Sequence, residues 1–360
     1  MCAKKYAFSP DFAVAPGETI REVMENMGMT QRDFAMRLDI SVQSLNRIFK
    51  GEQPITVETA RNLERVTGTP ATFWTNLESN YRLQLAKEKE TRLFETHKEW
   101  LKNFPLKILK ERGYIPQSTS VEENFEAVLR FFGVSNVTAW ENTWAQPDAA
   151  ARRSRSSCFE DNRYYAATWV RMGELAAQEN SCGATDIKKF RESMPEICRL
   201  TREDPSVFLP RLHEICNASG VSLAIIKEFP RLKWSGATKW LGETAIIMLN
   251  IRRKREDTFW FSFFHEAGHV ILHNKCCLRI NDGTNEDIRE QEANDFAKEV
   301  LFGKKHERIL GIKKAEDVIQ LAEELGIAPG IVAGQYRFMT QKYTYFSSLI
   351  RSFEWVQEKG

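Results

Sequence analysis

The sequence predicts a multidomain protein with an all-α N-terminal domain, a helical middle region and an α+β C-terminal domain. The length of 360 residues is suited to two or three domains, and a hydrophobic share of 42% is sufficient to form their cores. Capped helical patterns fill the first quarter of the chain, whereas β-branched apolar runs appear only after residue 220. We place the N-terminal domain at residues 1–90, a helical connecting region at 91–155, and the C-terminal domain at 156–360 with its core at 221–302.

Five short helices are predicted in the N-terminal domain. Three of them follow a serine or threonine, whose side chain can cap the helix by accepting a hydrogen bond from a backbone N–H of the first turn. These caps are Thr30, Ser41 and Thr56. The predicted helices are Gly17–Met27, Gln31–Leu38, Val42–Phe49, Val57–Val66 and a segment that runs from Pro70 to about Glu90.

The second and third predicted helices have the spacing of a helix-turn-helix, a motif that places its second helix in the major groove of DNA. Leu38, Ile40, Leu45 and Ile48 would form the core, with the small Ala35 where the helices cross. The positions that remain outward can read base edges or bind phosphates. These candidate DNA contacts are Gln31, Val42, Gln43, Ser44, Asn46, Arg47 and Lys50. A plain helical bundle with a polar face is the alternative.

The charge of the N-terminal domain predicts only modest non-specific attraction to nucleic acid. Residues 1–90 contain twelve Lys or Arg and twelve Asp or Glu, and the whole chain has a formal net charge of +2. Dedicated DNA-binding proteins are often strongly basic. Binding to operator DNA would therefore depend on a local basic surface, which a homodimer would double.

Residues 91–220 are predicted to be mostly helical, and their pattern says little about function. An arginine-rich break at Arg152, Arg153 and Arg155 indicates a surface loop or hinge. The seven cysteines form no C-x-x-C pair, which is typical of thiols in a reducing cytoplasm, and the adjacent Cys276 and Cys277 are weak candidates for metal ligands. No apolar run reaches the roughly 18 residues that a membrane span needs, so we expect a cytoplasmic protein.

Two strands followed by helices are predicted in the C-terminal domain. Val221–Phe229 and Thr244–Asn250 are apolar and β-branched, with Gly236 and Gly242 between them. Thr244–Asn250 is expected to form the edge of a cleft, where an extended peptide could pair with it. The predicted helices are Thr258–Asn274, Glu286–Leu301 and further helix within 314–341.

The strongest chemical signal is His265-Glu266-Ala267-Gly268-His269 in the first of these helices. Histidines four residues apart lie one turn apart on the same helix face, so both imidazoles can bind one zinc ion at about 2.0–2.1 Å. Glu266 can take a proton from a water molecule activated by the metal and pass it to a leaving amine. A hydrogen-bonded core pair is the alternative for the histidines. His273, one turn later, is better suited to supporting a ligand than to binding the metal.

A catalytic zinc ion needs a third protein ligand and an open position for water. The helix Glu286–Leu301 offers Glu290 and Glu292, and the small residues after Glu292 would let this helix pack close to the histidine helix. We choose Glu292 as the ligand and Glu290 as the second choice. From spacing alone, a solvated helix face is an equal alternative for either glutamate.

Residues 221–302 resemble the ImmA/IrrE family of metallo-endopeptidases. The matching segments are Ser235–Ala237, Ile247–Asn250, Asp257–Phe261, Phe264–His273 and Glu292–Ala297. The resemblance implies a zincin-like fold, zinc held by His265, His269 and Glu292, Glu266 as the catalytic base, and helix-turn-helix repressors as substrates. The turn Leu301-Phe302-Gly303 departs from the Leu-Met-Pro-like turn of the family. This difference affects the expected wall of the cleft at that point and does not affect the expected zinc ligands.

Residues 10–90 resemble the XRE-type helix-turn-helix of HigA-like antitoxins. The resemblance includes Pro16–Glu18 and Pro70–Trp74, which flank the helices described above. It implies operator binding as a homodimer and allows a cognate toxin as a partner. Phe73, Trp74 and Leu77 are candidates either for the dimer contact or for the core.

Together these patterns predict a DNA-binding transcriptional regulator whose zinc endopeptidase domain cleaves a helix-turn-helix repressor or a similar regulatory protein. The alternative is a non-catalytic antitoxin or repressor whose C-terminal domain binds a toxin or a signal. Glu266 argues against this alternative, because a structural zinc site needs no carboxylate beside its ligands. Self-cleavage, at the loop containing Arg152–Arg155 or after the N-terminal domain, is a third hypothesis.

Overall fold

The computed structural model of the chain has two units, residues 1–99 and residues 100–360. It describes residues 15–145, 163–180, 182–230, 232–273, 279–281 and 288–356. The loop with Arg152, Arg153 and Arg155 and the pair Cys276 and Cys277 lie outside the described residues. Within the part of the chain that is described, no helix is both long enough and apolar enough to cross a membrane.

The described part of the first unit is helical, and its N-caps are those predicted. Its helices are α1 Pro16–Asn26, α2 Gln31–Arg37, α3 Val42–Phe49, α4 Val57–Thr67 and the start of α5 Ala71–Leu101. Thr30, Ser41 and Thr56 each accept a hydrogen bond from the backbone N–H three residues later. Helix α5 continues to Leu101, past the predicted end near Glu90, because no glycine or proline interrupts it.

A hydrophobic core joins the helices of the first unit. The core residues predicted for the helix-turn-helix are buried in it or packed against it, namely Ala35, Leu38, Ile40, Leu45 and Ile48, and Phe34 is buried with them. Trp74 is also buried, and its indole N–H donates to the Thr69 carbonyl at 3.2 Å. Phe73 is 45% exposed. Of these neighbours, Trp74 is therefore a core residue, while Phe73 stays a candidate for an intermolecular contact.

The second unit begins with residues that the sequence analysis placed in a connecting region. Its first helices are α6 Leu106–Glu111, α7 Val121–Phe132 and α8 Val137–Trp140, continued by a π-helical turn at Glu141–Ala145. Trp140 stacks on Tyr164 with ring centroids 4.9 Å apart and packs edge-on against Phe104. Arg112 donates to the carbonyls of Lys227 and Glu228 at 2.9 and 3.0 Å. Residues 100–145 are thus packed into the second unit.

Helices then lead into a sheet in which four strands are described. The helices are α9 Arg163–Glu179, α10 Ile187–Glu192, α11 Met194–Leu200 and α12 Pro205–Ala218. The strands are β1 Val221–Ile225, β2 Gly236–Leu241, β3 Thr244–Leu249 and β4 Arg279–Asn281, in the order β1-β3-β2-β4. Strands β1 and β3 are parallel, and β2 is antiparallel to both of its neighbours.

Strand β2 was not predicted, and its presence changes the expected cleft. The sequence of β2 contains glycine and lysine and lacks a β-branched run, so it gives a weak strand signal. Because β2 and β1 flank β3 on its two sides, β3 has no free edge. The prediction that Thr244–Asn250 forms the edge of the cleft was therefore wrong.

Helix α13, Glu256–Leu272, is packed between the sheet and the last helices. These are α14 Ile288–Phe302, α15 Ala315–Leu325 and α16 Pro329–Thr340, with 3₁₀ turns at Gly303–Gly311 and Ser347–Leu349. Gly268 of α13 faces Ala293 of α14, and a Cβ atom on Gly268 would lie 3.1 Å from the Ala293 Cα atom. Small residues thus let α13 and α14 approach closely, as the sequence predicted.

Ion pairs fix the start of α13. Glu256 is 1% exposed and accepts hydrogen bonds from Arg351 Nε at 2.6 Å and from the Arg351 backbone N–H at 2.7 Å. Asp257 accepts a hydrogen bond from Arg255 Nε at 2.9 Å and also pairs with a terminal nitrogen of the same guanidinium. Acidic residues in a first turn also interact favourably with the helix dipole. The Glu256–Arg351 contacts hold α13, and the histidines further along it, against the C-terminal segment.

Candidate metal centre and DNA-binding surface

His265 and His269 lie on one face of α13, as their four-residue spacing predicted. Both residues are buried, and their Nε2 atoms lie 3.1 Å apart. The carboxylate of Glu290 on α14 faces both rings, with Oε2 at 3.1 Å from His265 Nε2 and Oε1 at 3.2 Å from His269 Nε2. Among the described residues, this is the one group of three or more His, Cys, Asp or Glu side chains whose ligand atoms all lie within 4.8 Å of one another.

The structure corrects the choice of Glu292 as the third residue of this cluster. The Glu292 side chain is 53% exposed, and its carboxylate lies 3.0 Å from His273 Nε2. Each residue of a helix is rotated by about 100° from the one before it, so Glu290 and Glu292 leave α14 in different directions and cannot both face His265 and His269. Glu290 belongs to the buried face of α14, with Ala293, Ala297 and Leu301. That three-and-four-residue spacing is the signal in the sequence that selects Glu290.

The outer nitrogens of both histidines are also engaged, and their partners favour particular tautomers of the neutral rings. His265 Nδ1 lies 2.9 Å from Asn294 Oδ1, an acceptor, so Nδ1 carries a proton and the neutral ring has its lone pair on Nε2. His273 Nε2 donates to the Glu292 carboxylate, so in a neutral His273 ring Nδ1 accepts from His269 Nδ1 at 2.9 Å. His269 Nε2 then also presents a lone pair. Such outer partners orient metal-binding histidines, and His273 has the supporting position that the sequence analysis favoured.

With both rings neutral, two imidazole lone pairs and a carboxylate would meet at this point. At the observed separations of 3.1–3.2 Å such atoms repel one another unless a proton or a metal ion lies between them. Tetrahedral zinc ligands at 2.0–2.1 Å from the metal are about 3.3 Å apart, close to these distances. Glu290 Oε1 is buried without a hydrogen bond of acceptable geometry, as expected of an atom whose partner is a metal. The residues present fit a zinc ion.

Glu266 is fully buried beside the cluster but is not part of it. Thr238 Oγ1 donates to Glu266 Oε2 at 2.6 Å, whereas Glu266 Oε1 has no hydrogen-bond partner among the described residues. A Cβ atom on Gly236 would lie 2.7 Å from Glu266 Oε1, so only glycine leaves room for the carboxylate. Strand β2 therefore positions Glu266 through Thr238 and Gly236, and neither was singled out as a site residue from the sequence. The one signal was Ser235–Ala237, among the segments of the family resemblance.

The electrostatics of the cluster favour a bound cation. Burial acts to raise the pKa of Glu290, but interactions with His265 and His269 outweigh it and lower that pKa to about 2. Burial acts to lower the pKa of His265, but Glu290 and Glu266 outweigh it and raise that pKa. Burial lowers the pKa of His269, and burial raises the pKa of Glu266 to about 8. A negative carboxylate thus lies against two imidazoles, and a metal ion would compete there with protons.

The predicted DNA contacts lie in the first unit on α2 and α3 and at the end of α3. Gln31, Gln43, Arg47 and Lys50 are exposed, as is Val42. Ser44 and Asn46 are partly buried. Ser44 Oγ accepts a hydrogen bond from Gln53 Nε2 at 2.8 Å, which fixes the N-terminal half of α3 to the loop that follows it. The outward face of α3 is polar, as a recognition helix requires.

Comparison with known proteins matches both units to families. Residues 20–74 match the family described as helix-turn-helix, and residues 229–333 match the peptidase family described as IrrE N-terminal-like domain. The first match extends from α1 to the start of α5. The second match contains the whole cluster of His265, His269 and Glu290 together with Glu266.

The similar proteins described next each cover about a fifth to a quarter of the chain. Virulence-associated protein I of Dichelobacter nodosus is 34% identical over 77 residues, which are 21% of this chain and 71% of that protein. The uncharacterized HTH-type transcriptional regulator YddM of Escherichia coli K12 is 29% identical over 73 residues, which are 20% of this chain and 78% of that protein. The structure of Pseudomonas aeruginosa antitoxin HigA with the higBA promoter is 29% identical, with a TM-score of 0.22, and covers 24% of this chain and 94% of that one.

Proposed function

The chain belongs to the helix-turn-helix family in its N-terminal part and carries an IrrE N-terminal-like domain in its C-terminal part, and we propose that it is a DNA-binding regulator with a zinc-dependent endopeptidase domain. The observation that carries the proposal is the convergence of His265, His269 and Glu290, with the Glu266 carboxylate beside them and outside the ligand set. The proposed substrate is a helix-turn-helix repressor or a similar regulatory protein, which the resemblance to the ImmA/IrrE family supports.

Zinc is the proposed cofactor, held by His265 Nε2, His269 Nε2 and the Glu290 carboxylate. Imidazole and carboxylate ligands suit zinc, and three protein ligands leave a fourth position open, as in catalytic sites. When bound, zinc would polarise a carbonyl group and make a water molecule more acidic. Asn294, His273 and Glu292 keep the rings oriented through the hydrogen bonds described above.

Glu266 is the proposed general base and acid. Burial raises its pKa to about 8 in the absence of a metal, and a zinc ion bound beside it would lower that pKa, so that the carboxylate can accept a proton at neutral pH. Its Oε2 atom is held by Thr238, which fixes the plane of the carboxylate, and its Oε1 atom is the one that remains to accept a proton from the attacking water. The same oxygen can then give the proton to the leaving amine nitrogen. The rival function, a non-catalytic domain that binds a toxin or a signal, gives no reason for a buried carboxylate beside the ligands with one oxygen unpaired.

Peptidase activity is tested by exposing a library of proteome-derived peptides to the full chain. We expect new peptide ends to appear with zinc, to disappear after removal of the metal by a chelator, and to return when zinc is restored. Purified helix-turn-helix repressors encoded beside the gene of this chain are the first whole proteins to test. The intact mass of the chain itself, measured in the same reaction, separates self-cleavage from cleavage of another protein. Absence of cleavage from every sample would contradict the peptidase function.

DNA binding is proposed for the outward face of α3, in agreement with the helix-turn-helix match. Replacing Arg47 with alanine is expected to weaken binding by about 1–3 kcal/mol if its guanidinium reads a base edge. Binding is measured by fluorescence anisotropy on duplexes selected from a random pool, at fixed salt because phosphate contacts depend on it. Arg65→Ala on α4 is the control for the loss of one positive charge. Unchanged affinity of Arg47→Ala would place the recognition surface elsewhere.

A further inference from the structure

A cavity of about 380 Å³ lies next to the cluster of His265, His269 and Glu290 in the second unit. Glu290 and Asn294 of α14 and Ser262 of α13 form one side of it. Helix α16 and the segment after it form another side, where Gln335 and Tyr343 add polar atoms to an otherwise partly apolar wall. A bound peptide with its scissile bond at the cluster would therefore have this cavity beside it.

The cavity has an excess of positive charge. Its lining includes the four basic residues Arg253, Arg255, Lys298 and Arg337 and the two acidic residues Asp257 and Glu290. Each acidic group already has a partner, because Asp257 pairs with Arg255 and Glu290 faces the two histidines. The lining therefore contains two more basic groups than acidic groups, without counting any metal ion.

Two of the basic side chains are left without a counter-ion. Lys298 pairs with Asp295 at 2.9 Å, whereas Arg253 and Arg337 form no ion pair within 4.0 Å among the described residues. The acidic group that acts on Arg337 is Asp257, which is already paired with Arg255. The Nε atom of Arg337 is buried and has no hydrogen-bond partner in the same part of the chain. Burial also lowers the pKa of Arg337, although a guanidinium stays charged at neutral pH. A partly buried cation in this condition is stabilised by an anion that enters the cavity.

The position of the cavity along α13 limits where such an anion can belong on a substrate. Ser262 and Thr258, which line it, precede His265 by three and seven residues. At a rise of 1.5 Å per residue, the cavity lies roughly 5–10 Å from His265 along the helix axis. An extended peptide advances about 3.3 Å per residue, so its group in the cavity would come from a residue roughly one to three positions from the scissile bond.

We propose that this cavity is a specificity pocket that binds a carboxylate of the peptide substrate within about three residues of the cleaved bond, with Arg337 and Arg253 as the specificity-determining residues. The proposal rests on the endopeptidase function proposed above. An acidic side chain of the substrate and its C-terminal carboxylate present the same chemistry to the two guanidinium groups, and the experiment distinguishes these sources. Arg337 is suited to the recognition because a guanidinium can bind a carboxylate through two parallel hydrogen bonds.

The first arm of the test is the cleavage profile of the peptide library, compared between the wild-type chain and four variants. We expect Asp and Glu to be enriched at one position within three residues of the cut, by roughly tenfold to a hundredfold over Asn and Gln, since hydrogen bonds to charged groups are worth that much. If cuts occur only within the last three residues of each peptide, whatever their side chains, the carboxylate that the pocket binds is the C-terminal one.

Arg337→Glu and Arg253→Glu should remove or invert the preference, and Arg337→Lys should keep it in weaker form. Arg252→Glu is the matched control, because Arg252 is exposed, adjacent in sequence and not part of the lining.

The second arm measures binding without cleavage. N-acetylglutamate amide and N-acetylglutamine amide are titrated into the zinc-loaded full chain, and the shifts of its NMR signals are recorded. The acid should bind roughly tenfold or more tightly than the amide, and Arg253→Glu should remove this difference while Arg252→Glu keeps it. Arg253 is exposed, so its variant tests the pocket even if Arg337→Glu fails to fold.

The outcomes separate this proposal from the peptidase function on which it rests. If cleavage occurs, the absence of a carboxylate preference in the first arm or equal binding of the acid and the amide in the second arm would overturn the pocket and leave the peptidase function standing. Selective binding of the acid without any cleavage would support the pocket as an anion site and would contradict the peptidase function. Absence of both cleavage and selective binding would overturn the two together.

Discussion

Replacing Glu290 with alanine is expected to abolish stoichiometric zinc binding, although Glu290 was only the second choice from the sequence. The variant leaves two ligands, His265 and His269, and a catalytic zinc site requires three. We expect zinc affinity to fall by more than about a hundredfold, because even a lost outer partner of a ligand costs 10–100-fold. Metal content by mass spectrometry and competition with a chelator of known affinity would measure the change.

Glu292→Ala is the matched control, since it removes the same group two residues away on the same helix. Glu292 contacts His273 rather than the cluster, so its loss should weaken zinc binding by at most about 10–100-fold and should leave one zinc ion per chain when zinc is supplied in excess. The reverse order, with zinc lost from Glu292→Ala and retained in Glu290→Ala, would restore the original assignment. Circular dichroism of both variants shows whether α14 and its surroundings stay folded.

The contrast between these two glutamates shows where sequence reasoning is strong and where it is weak. His265, Glu266 and His269 lie within one helical turn or little more, so local geometry alone places them together, as it does the N-caps of the first unit. The third ligand comes from another helix, and its choice depends on which face of α14 meets α13. The buried spacing through Ala293 and Ala297 contained that information, but Glu292 was chosen for the small residues that follow it and for the family segment that begins with it.

The positioning of Glu266 could not be predicted, for a different reason. Thr238 and Gly236 lie nearly thirty residues from Glu266 in the sequence and reach it only because β2 inserts between β3 and β4. A short strand with glycine and lysine has no distinct local pattern, since its stability comes from its neighbours in the sheet. The aromatic residues from Trp100 to Tyr164 were missed in the same way, because their contacts join segments far apart in the chain.

Replacing Glu266 with glutamine is expected to retain zinc and to lower the rate of peptide cleavage by about 10²–10⁴-fold, the usual contribution of a general acid–base group. Glutamine has nearly the same shape, and its carbonyl oxygen can still accept the Thr238 hydrogen bond, so the fold and the ligand set should be unchanged. It cannot accept a proton from water at neutral pH. Metal content and the rate of cleavage of one library peptide, measured on the same preparation, give both readouts.

A second substitution separates the base from the group that orients it. Thr238→Val removes the hydrogen bond to Glu266 Oε2 and keeps the side-chain volume, so it should lower the cleavage rate by less than Glu266→Gln and should also retain zinc. Loss of zinc from Glu266→Gln would make Glu266 a ligand, and undiminished cleavage would remove it as the base. If Glu266→Gln retains zinc and loses cleavage, the metal ligands and the proton carrier are different residues. The Glu266 carboxylate, buried and with one unpaired oxygen, is then the group that moves the proton.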